Sequence, residues 1–376
     1  MRGIGMGLIT LSEVKPGLKL GSDVQTSRGN VLLQKGKIIL PKDMEVLRAF
    51  LIHQVDIEQE RTGTSSGGSK GVTGPSGALG TAVAEKNGER TSTIVSAPVI
   101  TLQDEYEKMV TLTKNAFLSS LAAELPVYEL RTQLEALFIH LKQYNVLTFS
   151  PRNMKEHDYV YHHAVLSAIT SYQLAQWIDL PSKDWMQVAF AGLFHDIGNN
   201  KVDPQILHKP SSLTAEEQEE IRQHTKYGYQ ILKQAKAINE GARLAALQHH
   251  EKVDGSGYPL QLTGTQIHIY AKIVAIADIF HAMTLEKIYR KAQSPYLVLE
   301  QIQSEAFGKL EPSIVNMFVQ RSTQIHNGIR VKLSNNQIGE IIFSDRDHPT
   351  RPMVSVEGSI INLMQQRQLY IQEVLG

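Results

Sequence analysis

Residues able to bind metal ions recur within the most apolar helical stretches of this chain. From about residue 99 to residue 325, apolar side chains follow one another at intervals of three and four, which is the spacing of helices that pack together. A polar side chain buried in such a run costs several kcal/mol unless it is paired or binds a metal. Seven candidate ligands lie in or beside successive runs, namely His163, His195, Asp196, His224, His249, His250 and Asp278. A lone histidine is usually a hydrogen-bonded core residue, but seven such groups on successive helices favour a mainly α protein with a metal centre.

Two pairs of these residues are adjacent in sequence, His195 with Asp196 and His249 with His250. Neighbouring side chains on a helix point about 100° apart, so an adjacent pair can serve two metal ions from one helix end. Imidazole and carboxylate ligands without sulfur suit iron, manganese or zinc, and a carboxylate can bridge two ions. The doubled histidine therefore indicates a centre with more than one metal.

Composition divides the chain into four segments. Residues 1–60 combine short alternating apolar runs with one helical pattern and predict a small α/β module. Residues 61–98 are rich in glycine, serine and threonine and predict a flexible linker. Residues 99–325 carry the helical pattern, and residues 326–376 contain strand-length runs broken by asparagine, glycine and proline. The predicted architecture is a helical bundle flanked by small β-containing N- and C-terminal modules.

Charge and cysteine content restrict the class of protein. Lysine plus arginine and aspartate plus glutamate each number 38, so the chain has no formal net charge, which argues against binding to extended nucleic acid. The absence of cysteine excludes disulfide bonds and thiolate ligands. The apolar run near the N-terminus is too short for a secretory signal, and no stretch approaches the ~18 apolar residues of a membrane span. We expect a cytoplasmic protein without a membrane span.

Five sequence blocks, taken in order, resemble the HD-GYP branch of the HD superfamily of metal-dependent phosphohydrolases. The blocks are HDIG at 195–198, ILHKPSSLTAEE at 206–217, HTKYGYQIL at 224–232, HHEKVDGSGYP at 249–259 and IADIFHAMT at 276–284. The resemblance implies an HD-type helical bundle that hydrolyses cyclic di-GMP to linear pGpG, and in some cases onward to GMP, through a metal-activated hydroxide. It also implies a nucleotide or cyclic dinucleotide as the substrate class.

The resemblance further implies two divalent metal ions, iron or manganese first, with zinc and other metals as alternatives. Asp196 corresponds to the carboxylate that bridges the ions, and Asp196 and His195 are the expected catalytic residues. The expected ligands of one ion are His163, His195 and Asp278, and those of the other are His224, His249 and His250. Members with a third ion carry a glutamate where this chain has Tyr159, so we expect two ions.

Four further residues are expected to contact substrate. Asn199 stands where the family has a lysine, and an amide does not supply that positive charge. Lys287 and Arg290, in the KIYR stretch, keep two positive charges one helical turn apart, where they can face the same phosphate. Tyr258 lies in the loop that contains the Gly257–Tyr258–Pro259 sequence, called the GYP loop. It either borders the substrate pocket or packs the loop onto the bundle. Glu251, beside the doubled histidine, is expected to orient an imidazole.

Two alternatives to hydrolysis of cyclic di-GMP stay open. The same fold can act on another nucleotide or cyclic dinucleotide, an alternative that Asn199 keeps open. The chain can also be a weakly active module that binds cyclic di-GMP and signals to a partner protein through the GYP loop or the terminal modules. A homodimer is one assembly left open. In the C-terminal module, Arg351 is expected to stabilise a turn rather than to bind an anion.

Overall fold

The structure of this 376-residue chain is a computed structural model. It describes residues 5–11, 13–25, 31–49, 52, 54–59, 101–152, 154–286, 291–324 and 328–375. The chain forms two compact units, Met1–Val99 and Ile100–Gly376. The predicted linker at residues 61–98 lies outside the described residues, so that segment boundary stays a prediction.

The first unit contains two antiparallel strand pairs and one helix. Its elements are β1 (Gly5–Thr10), β2 (Val24–Gln25), β3 (Val31–Leu33), α1 (Pro41–Ala49) and β4 (Gln54–Gln59). Strand β1 pairs with β4 along its whole length, and β2 pairs with β3. The second pair lies where alternating apolar runs predict a hairpin, and Leu20, Leu32 and Leu47 are buried within this unit.

The second unit is built mainly from α-helices, which confirms the predicted fold class. The helices are α2 (Leu102–Ser119), α3 (Val127–Ile139), α4 (Tyr159–Trp177), α5 (Ser182–Phe194), α6 (Pro204–Leu207), α7 (Ala215–Arg222), α8 (His224–Gln234), α9 (Glu240–Gln248), α10 (Ile269–Thr284), α11 (Pro295–Glu305) and α12 (Pro312–Ser322). Short 3-10 helices occupy Leu141–Gln143, Glu156–Asp158, Ile197–Lys201 and Gly264–Gln266. Among the described residues, no helix is both long enough and apolar enough to cross a membrane.

Three helices, α4, α5 and α10, form the centre of the bundle. They are apolar on nearly all sides, as expected for helices surrounded by other helices. Gly192 of α5 permits a close approach to α4, because a Cβ atom there would lie 2.6 Å from the Ser167 carbonyl oxygen. Polar residues on these helices are therefore held at fixed positions by dense packing.

The segment after residue 213 contains two helices that meet at Gln223. Thr214 begins α7 with a capping box, since its side chain accepts the Glu217 amide and the Glu217 carboxylate accepts the Thr214 amide. At the far end of α7, the Thr225 hydroxyl donates to the Arg222 carbonyl. This junction makes His224 the first residue of α8.

The C-terminal residues form a five-stranded antiparallel sheet. Its strands are β5 (Arg330–Leu333), β6 (Ile338–Phe343), β7 (Met353–Val356), β8 (Ser359–Asn362) and β9 (Ile371–Leu375), in the order β8-β7-β6-β5-β9. Buried residues of this sheet, such as Leu333, Ile341 and Val354, belong to the same hydrophobic cluster as the helices. The Ser294 hydroxyl, at the start of α11, donates to the Ile371 carbonyl. The sheet is thus packed on the bundle.

Arg351 connects the C-terminal sheet region to α11 through an ion pair. Its guanidinium pairs with both carboxylate oxygens of Glu300, at 2.5 and 2.6 Å, and donates to the carbonyls of Arg367 and Leu369. Arg351 therefore stabilises the chain fold around it, in line with its expected structural role.

Replacing Arg351 with alanine should lower the free energy of unfolding by about 2 kcal/mol, since a two-pronged, largely buried ion pair and two hydrogen bonds to carbonyls are lost. Arg131→Ala is a matched control, because Arg131 pairs with Glu135 on the exposed surface of α3, where such pairs contribute about 0.3–0.5 kcal/mol. Urea unfolding of both variants measures the difference. Equal losses of unfolding free energy in the two variants would contradict the stabilising role of Arg351.

Candidate metal centre

The seven predicted ligands come from five places in the second unit. These places are α4 (His163), the residues after α5 (His195 and Asp196), the start of α8 (His224), the residues after α9 (His249 and His250) and α10 (Asp278). Three of the five places belong to the central helices. Helix packing therefore brings together side chains as far apart in sequence as His163 and Asp278, which are 115 positions apart.

Asp196 lies at the junction of two groups of ligand atoms. One ligand atom from each of Asp196, His224, His249 and His250 lies within 4.8 Å of the others, and the same holds for His163, His195 and Asp196. Asp278 adjoins the second group, because its Oδ1 lies 3.3 Å from His163 Nε2 and 3.8 Å from His195 Nε2. The structure thus brings all seven residues together, with one carboxylate shared between two groups.

Backbone carbonyls fix the direction of three imidazole rings. Nδ1 of His195 donates to the Gly192 carbonyl at 2.8 Å, Nδ1 of His224 to that of Ile221 at 2.7 Å, and Nδ1 of His249 to that of Ala246 at 3.0 Å. His195 and His249 each cap the helix that precedes them, where carbonyls lack partners within the helix. With the proton on Nδ1, the lone pair of each Nε2 faces the centre.

The inward-facing nitrogens require a cation between them. Nε2 of His195 is buried and, among the described residues, has no hydrogen-bond partner. Nε2 of His224 lies 3.3 Å from Nε2 of His249, and two lone pairs at this distance repel unless a proton or metal ion lies between them. Because the remaining ligand atoms are carboxylate oxygens, the donor set fits iron, manganese or zinc. The residues present therefore fit a divalent metal centre.

A protein-family model described as "HD domain" matches residues 143–314, the span that contains all seven convergent residues. This part of the chain is an HD domain. This result confirms the family that the sequence blocks predict. HD domains are metal-dependent, in agreement with the cluster of histidine and aspartate side chains.

Several curated relatives of this HD protein carry names of phosphodiesterases. "Cyclic di-GMP phosphodiesterase PA4108" of Pseudomonas aeruginosa is 29% identical over 216 residues, covering 57% of this chain and 52% of the relative. "Cyclic di-GMP phosphodiesterase" of Thermotoga maritima is 32% identical over 253 residues, covering 65% of this chain and 66% of the relative. "3'3'-cGAMP-specific phosphodiesterase 2" of Vibrio cholerae is 32% identical over 159 residues, covering 42% and 30%. The chain thus spans about half the length of the Pseudomonas relative and less than a third of the Vibrio relative.

The seven convergent residues are called the HD centre below. Burial and charge give the groups of the HD centre the protonation states that metal binding needs. Burial lowers the pKa of His195 to about 4, although Asp196 and Asp278 act to raise it. Burial, together with His249, also lowers the pKa of His250 well below its usual value. Burial alone would raise the pKa of Asp196, but the surrounding histidines hold it well below the usual range. Neutral imidazoles and ionised carboxylates are the forms that bind divalent cations.

The pKa of His249 is shifted in the opposite direction to those of His195, His224 and His250. Burial acts to lower its pKa, but contact with Asp196, whose Oδ1 lies 3.7 Å from Nε2, raises the pKa above its usual value. The position between Asp196 and His224 therefore attracts positive charge. Metal binding at this position would therefore compete with protonation of His249.

Tyr258 of the GYP loop packs against a predicted ligand. Its ring stacks on the His250 ring with 4.7 Å between centroids, and its amide donates to the His250 carbonyl. The Arg222 guanidinium lies 5.2 Å from the centroid of the Tyr258 ring. The tyrosine thus holds the His250 ring in place, and its predicted contact with substrate stays a prediction.

Glu251 binds the loop instead of an imidazole, so the role expected from the sequence was wrong. Its two carboxylate oxygens accept the backbone amides of Leu260 and Leu262, at 2.6 and 3.0 Å. Two amides of one turn satisfy both carboxylate oxygens. The close packing at Gly257, where a Cβ atom would lie 2.4 Å from Glu251 Cα, further ties the GYP loop to the end of α9.

Of the other residues predicted to contact substrate, the structure describes Asn199 but not Lys287 or Arg290. Asn199 lies in the 3-10 helix Ile197–Lys201, is half-buried, and makes no side-chain hydrogen bond within the described part of the chain. Lys287 and Arg290 lie outside the described residues. Lys201 is exposed, with its ammonium 5.8 Å from the centroid of the Tyr227 ring, so it is directed at α8. The assignments of Asn199, Lys287 and Arg290 to substrate binding stay predictions.

Sequence reasoning missed the residues that extend the HD centre into a cavity. The cavity, of about 400 Å³, is lined by His249, His250 and Asp278 together with Gln301 and Glu305 of α11. The signal available in the sequence was weak. Gln301 and Glu305 are four residues apart and share a helix face, but their pattern does not differ from that of an ordinary exposed helix.

Proposed function

We propose that this protein is a phosphodiesterase that hydrolyses cyclic di-GMP to linear pGpG. The observation that supports the proposal most directly is the sharing of Asp196 between two groups of inward-facing ligand atoms. Such an arrangement is suited to two cations that act on one phosphate group. The names of the Pseudomonas and Thermotoga relatives support the choice of cyclic di-GMP.

The residues of the centre set its charge and hold its geometry. Divalent ions, when bound, lower the pKa of water and polarise phosphate oxygens. Asp196 and Asp278 supply the negative charges of the ligand set, while the histidines add none in their neutral form. Two divalent ions therefore leave the centre positively charged, which favours binding of an anionic phosphodiester. Hydrogen bonds from Nδ1 of His195 and His224 to carbonyls keep the rings from turning when charge develops on the phosphate.

The metal number and identity proposed here follow the ligand types and Tyr159. We take two ions as the working number, with iron or manganese preferred and zinc as an alternative. The Tyr159 ring stacks on the His163 ring, with 5.6 Å between centroids. Tyr159 thus packs on His163 and offers no carboxylate for a third ion. Metal analysis of protein prepared without chelator measures both identity and stoichiometry.

The leading alternative is hydrolysis of another cyclic dinucleotide. The name of the Vibrio relative, which is 32% identical over the matched region, favours 3'3'-cGAMP as that substrate. A module that binds cyclic di-GMP with little turnover is the other alternative, and Asn199 in place of a lysine supports it.

Incubation of the manganese- or iron-loaded protein with cyclic di-GMP should yield pGpG, while protein stripped with chelator should yield none. Separate incubations with 3'3'-cGAMP and cyclic di-AMP measure specificity, with products separated by chromatography. Faster turnover of 3'3'-cGAMP would replace the proposed substrate. Binding of cyclic di-GMP without turnover in protein shown to contain metal would favour the signalling module.

We also propose the cytoplasm as the location, and the GYP loop or the terminal modules as the contact with a signalling partner. Leu260, beside the loop, exposes half of its side chain and is a suitable position for a cross-linker. Cell fractionation tests the location, and light scattering tests for the homodimer.

A further inference from the structure

A cavity next to the HD centre is lined by two sets of polar residues from different elements. His249, His250 and Asp278 are predicted metal ligands, and Gln301 and Glu305 belong to α11. Its volume of about 400 Å³ is within the range of small-molecule sites, roughly 300–1,000 Å³. A group bound in the cavity therefore contacts both the predicted metal ligands and α11.

Most of the remaining lining is apolar. It is formed by Ala275, Ile279, Ala282 and Met283, all on α10, together with Leu310, while Lys252 and Tyr258 add polar groups from the GYP loop. Small and flexible apolar side chains of this kind can pack against the face of a flat ring. The volume suits a single nucleoside rather than a whole cyclic dinucleotide.

Gln301 and Glu305 form a hydrogen-bonding pair one helical turn apart. The amide Nε2 of Gln301 donates to Glu305 Oε1 at 3.2 Å, which leaves the second N–H of the amide free to donate elsewhere. Glu305 is half-buried, and within the described residues it forms no ion pair with lysine or arginine. The pair thus presents a carboxylate acceptor and one amide donor side by side.

This arrangement matches guanine and opposes adenine. On its Watson–Crick edge, guanine carries two adjacent donors, N1–H and the N2 amino group, next to the acceptor O6. A carboxylate accepts both donors, and the free amide N–H can donate to O6. Adenine instead presents the lone pair of N1, which the carboxylate repels, so the same side chains exclude it.

We propose that Glu305, held by Gln301, selects a guanine base in this cavity and so sets the base specificity of the HD centre. The inference rests on the proposed function, since it takes the phosphate attached to that guanosine to lie at the metal centre. The second base of a cyclic dinucleotide lies outside the cavity. The residue pair therefore requires one guanine and leaves the other base less restricted.

Binding of GMP and AMP to the metal-loaded full chain, measured by titration calorimetry, tests the assignment. The wild-type protein should bind GMP about tenfold to a hundredfold more tightly than AMP, the discrimination typical of a two-pronged base contact. Glu305→Ala should bring the two affinities within about threefold, mainly by weakening GMP. Gln303→Ala, on the same helix but outside the cavity lining, should keep the wild-type preference.

Two results would overturn the inference: a wild-type protein without preference for GMP, or a Glu305→Ala variant that keeps the preference. Turnover of cyclic di-GMP is measured on the same samples and separates the two proposals. Preference for GMP without turnover would remove the proposed function alone. Turnover that Glu305→Ala leaves equally selective against cyclic di-AMP would remove the role of Glu305 alone.

Discussion

Asp196→Asn should lower turnover of cyclic di-GMP by at least about a thousandfold and should reduce the bound metal. The Asp196 carboxylate is the one group that belongs to both sets of ligand atoms. An amide of the same size has no charge and one oxygen, so it cannot bridge two cations with equal strength. Loss of a single preorganised electrostatic group in an active site typically costs about a hundredfold to a thousandfold, and here two ions lose a ligand together.

The fold should tolerate this replacement. Asp196 precedes the 3-10 helix Ile197–Lys201 but makes no side-chain cap with it. Circular dichroism in the presence of chelator should therefore match the wild-type protein, while thermal unfolding should show some loss of stability, because the histidines that hold the Asp196 pKa low lose their charged partner. Asp347→Asn, at an exposed position between β6 and β7, is the control for the charge change. Wild-type metal content and turnover in Asp196→Asn would contradict the shared-ligand arrangement.

The central helices and the convergence of the candidate ligands could be predicted from sequence because burial leaves a strong pattern. The stretch around His195 is apolar nearly all round, and α5 is buried accordingly. Polar residues in such a run require partners, which made His163, His195 and Asp278 candidates, while the choice of His163 over the adjacent His162 came from the family resemblance. The adjacency of His249 and His250 added a second signal, independent of helix packing.

The role of Glu251 could not be predicted, because it depends on a backbone path and not on residue type. A glutamate beside two histidines has the composition of a group that orients an imidazole. Its oxygens instead accept amides nine and eleven residues further along the chain. The turn that presents those amides exists only once the GYP loop has folded back on α9.

His281 is a buried histidine near the centre whose contacts depend on the neighbouring helix. It lies three residues after Asp278 on a helix that carries a ligand, yet its Nε2 lies 2.7 Å from the Thr170 hydroxyl. Burial lowers its pKa to about 3, so it is a neutral hydrogen-bonding residue of the core. Sequence spacing alone does not distinguish the two faces of a helix that is buried on both. The neighbouring helix determines what each side chain contacts, and here Thr170 of α4 supplies the hydroxyl group.

Gly198→Ala should destabilise the protein by about 3 kcal/mol or more and should also weaken metal binding. A Cβ atom at residue 198 would lie 1.9 Å from the His224 carbonyl oxygen and 2.5 Å from the Gly228 amide nitrogen. Both neighbours are backbone atoms of α8, so relief requires a shift of the whole helix. Overpacking in a core typically costs about 1–3 kcal/mol, and contacts with backbone lie at the upper end because no rotamer change relieves them.

The shift has a direct consequence for the HD centre, because Gly198 lies two residues after Asp196 and its neighbour is His224 itself. Moving α8 away separates the Asp196 carboxylate from the His224 imidazole, which are 3.4 Å apart. Urea unfolding with chelator measures the packing loss alone. The additional stability gained on adding manganese, which depends on metal affinity through mass action, measures the damage to the centre.

Gly264→Ala is the matched control for this experiment. Its nearest neighbour for an added Cβ is the Val253 Cβ at 3.8 Å, an ordinary contact, so the stability should change by less than about 0.5 kcal/mol. A Gly198→Ala variant that loses stability but keeps its full gain from manganese would show that α8 can move without disturbing the ligands. Loss of both quantities together would instead mean that one close backbone contact sets both the packing of α8 and the distance between two ligands from separate helices.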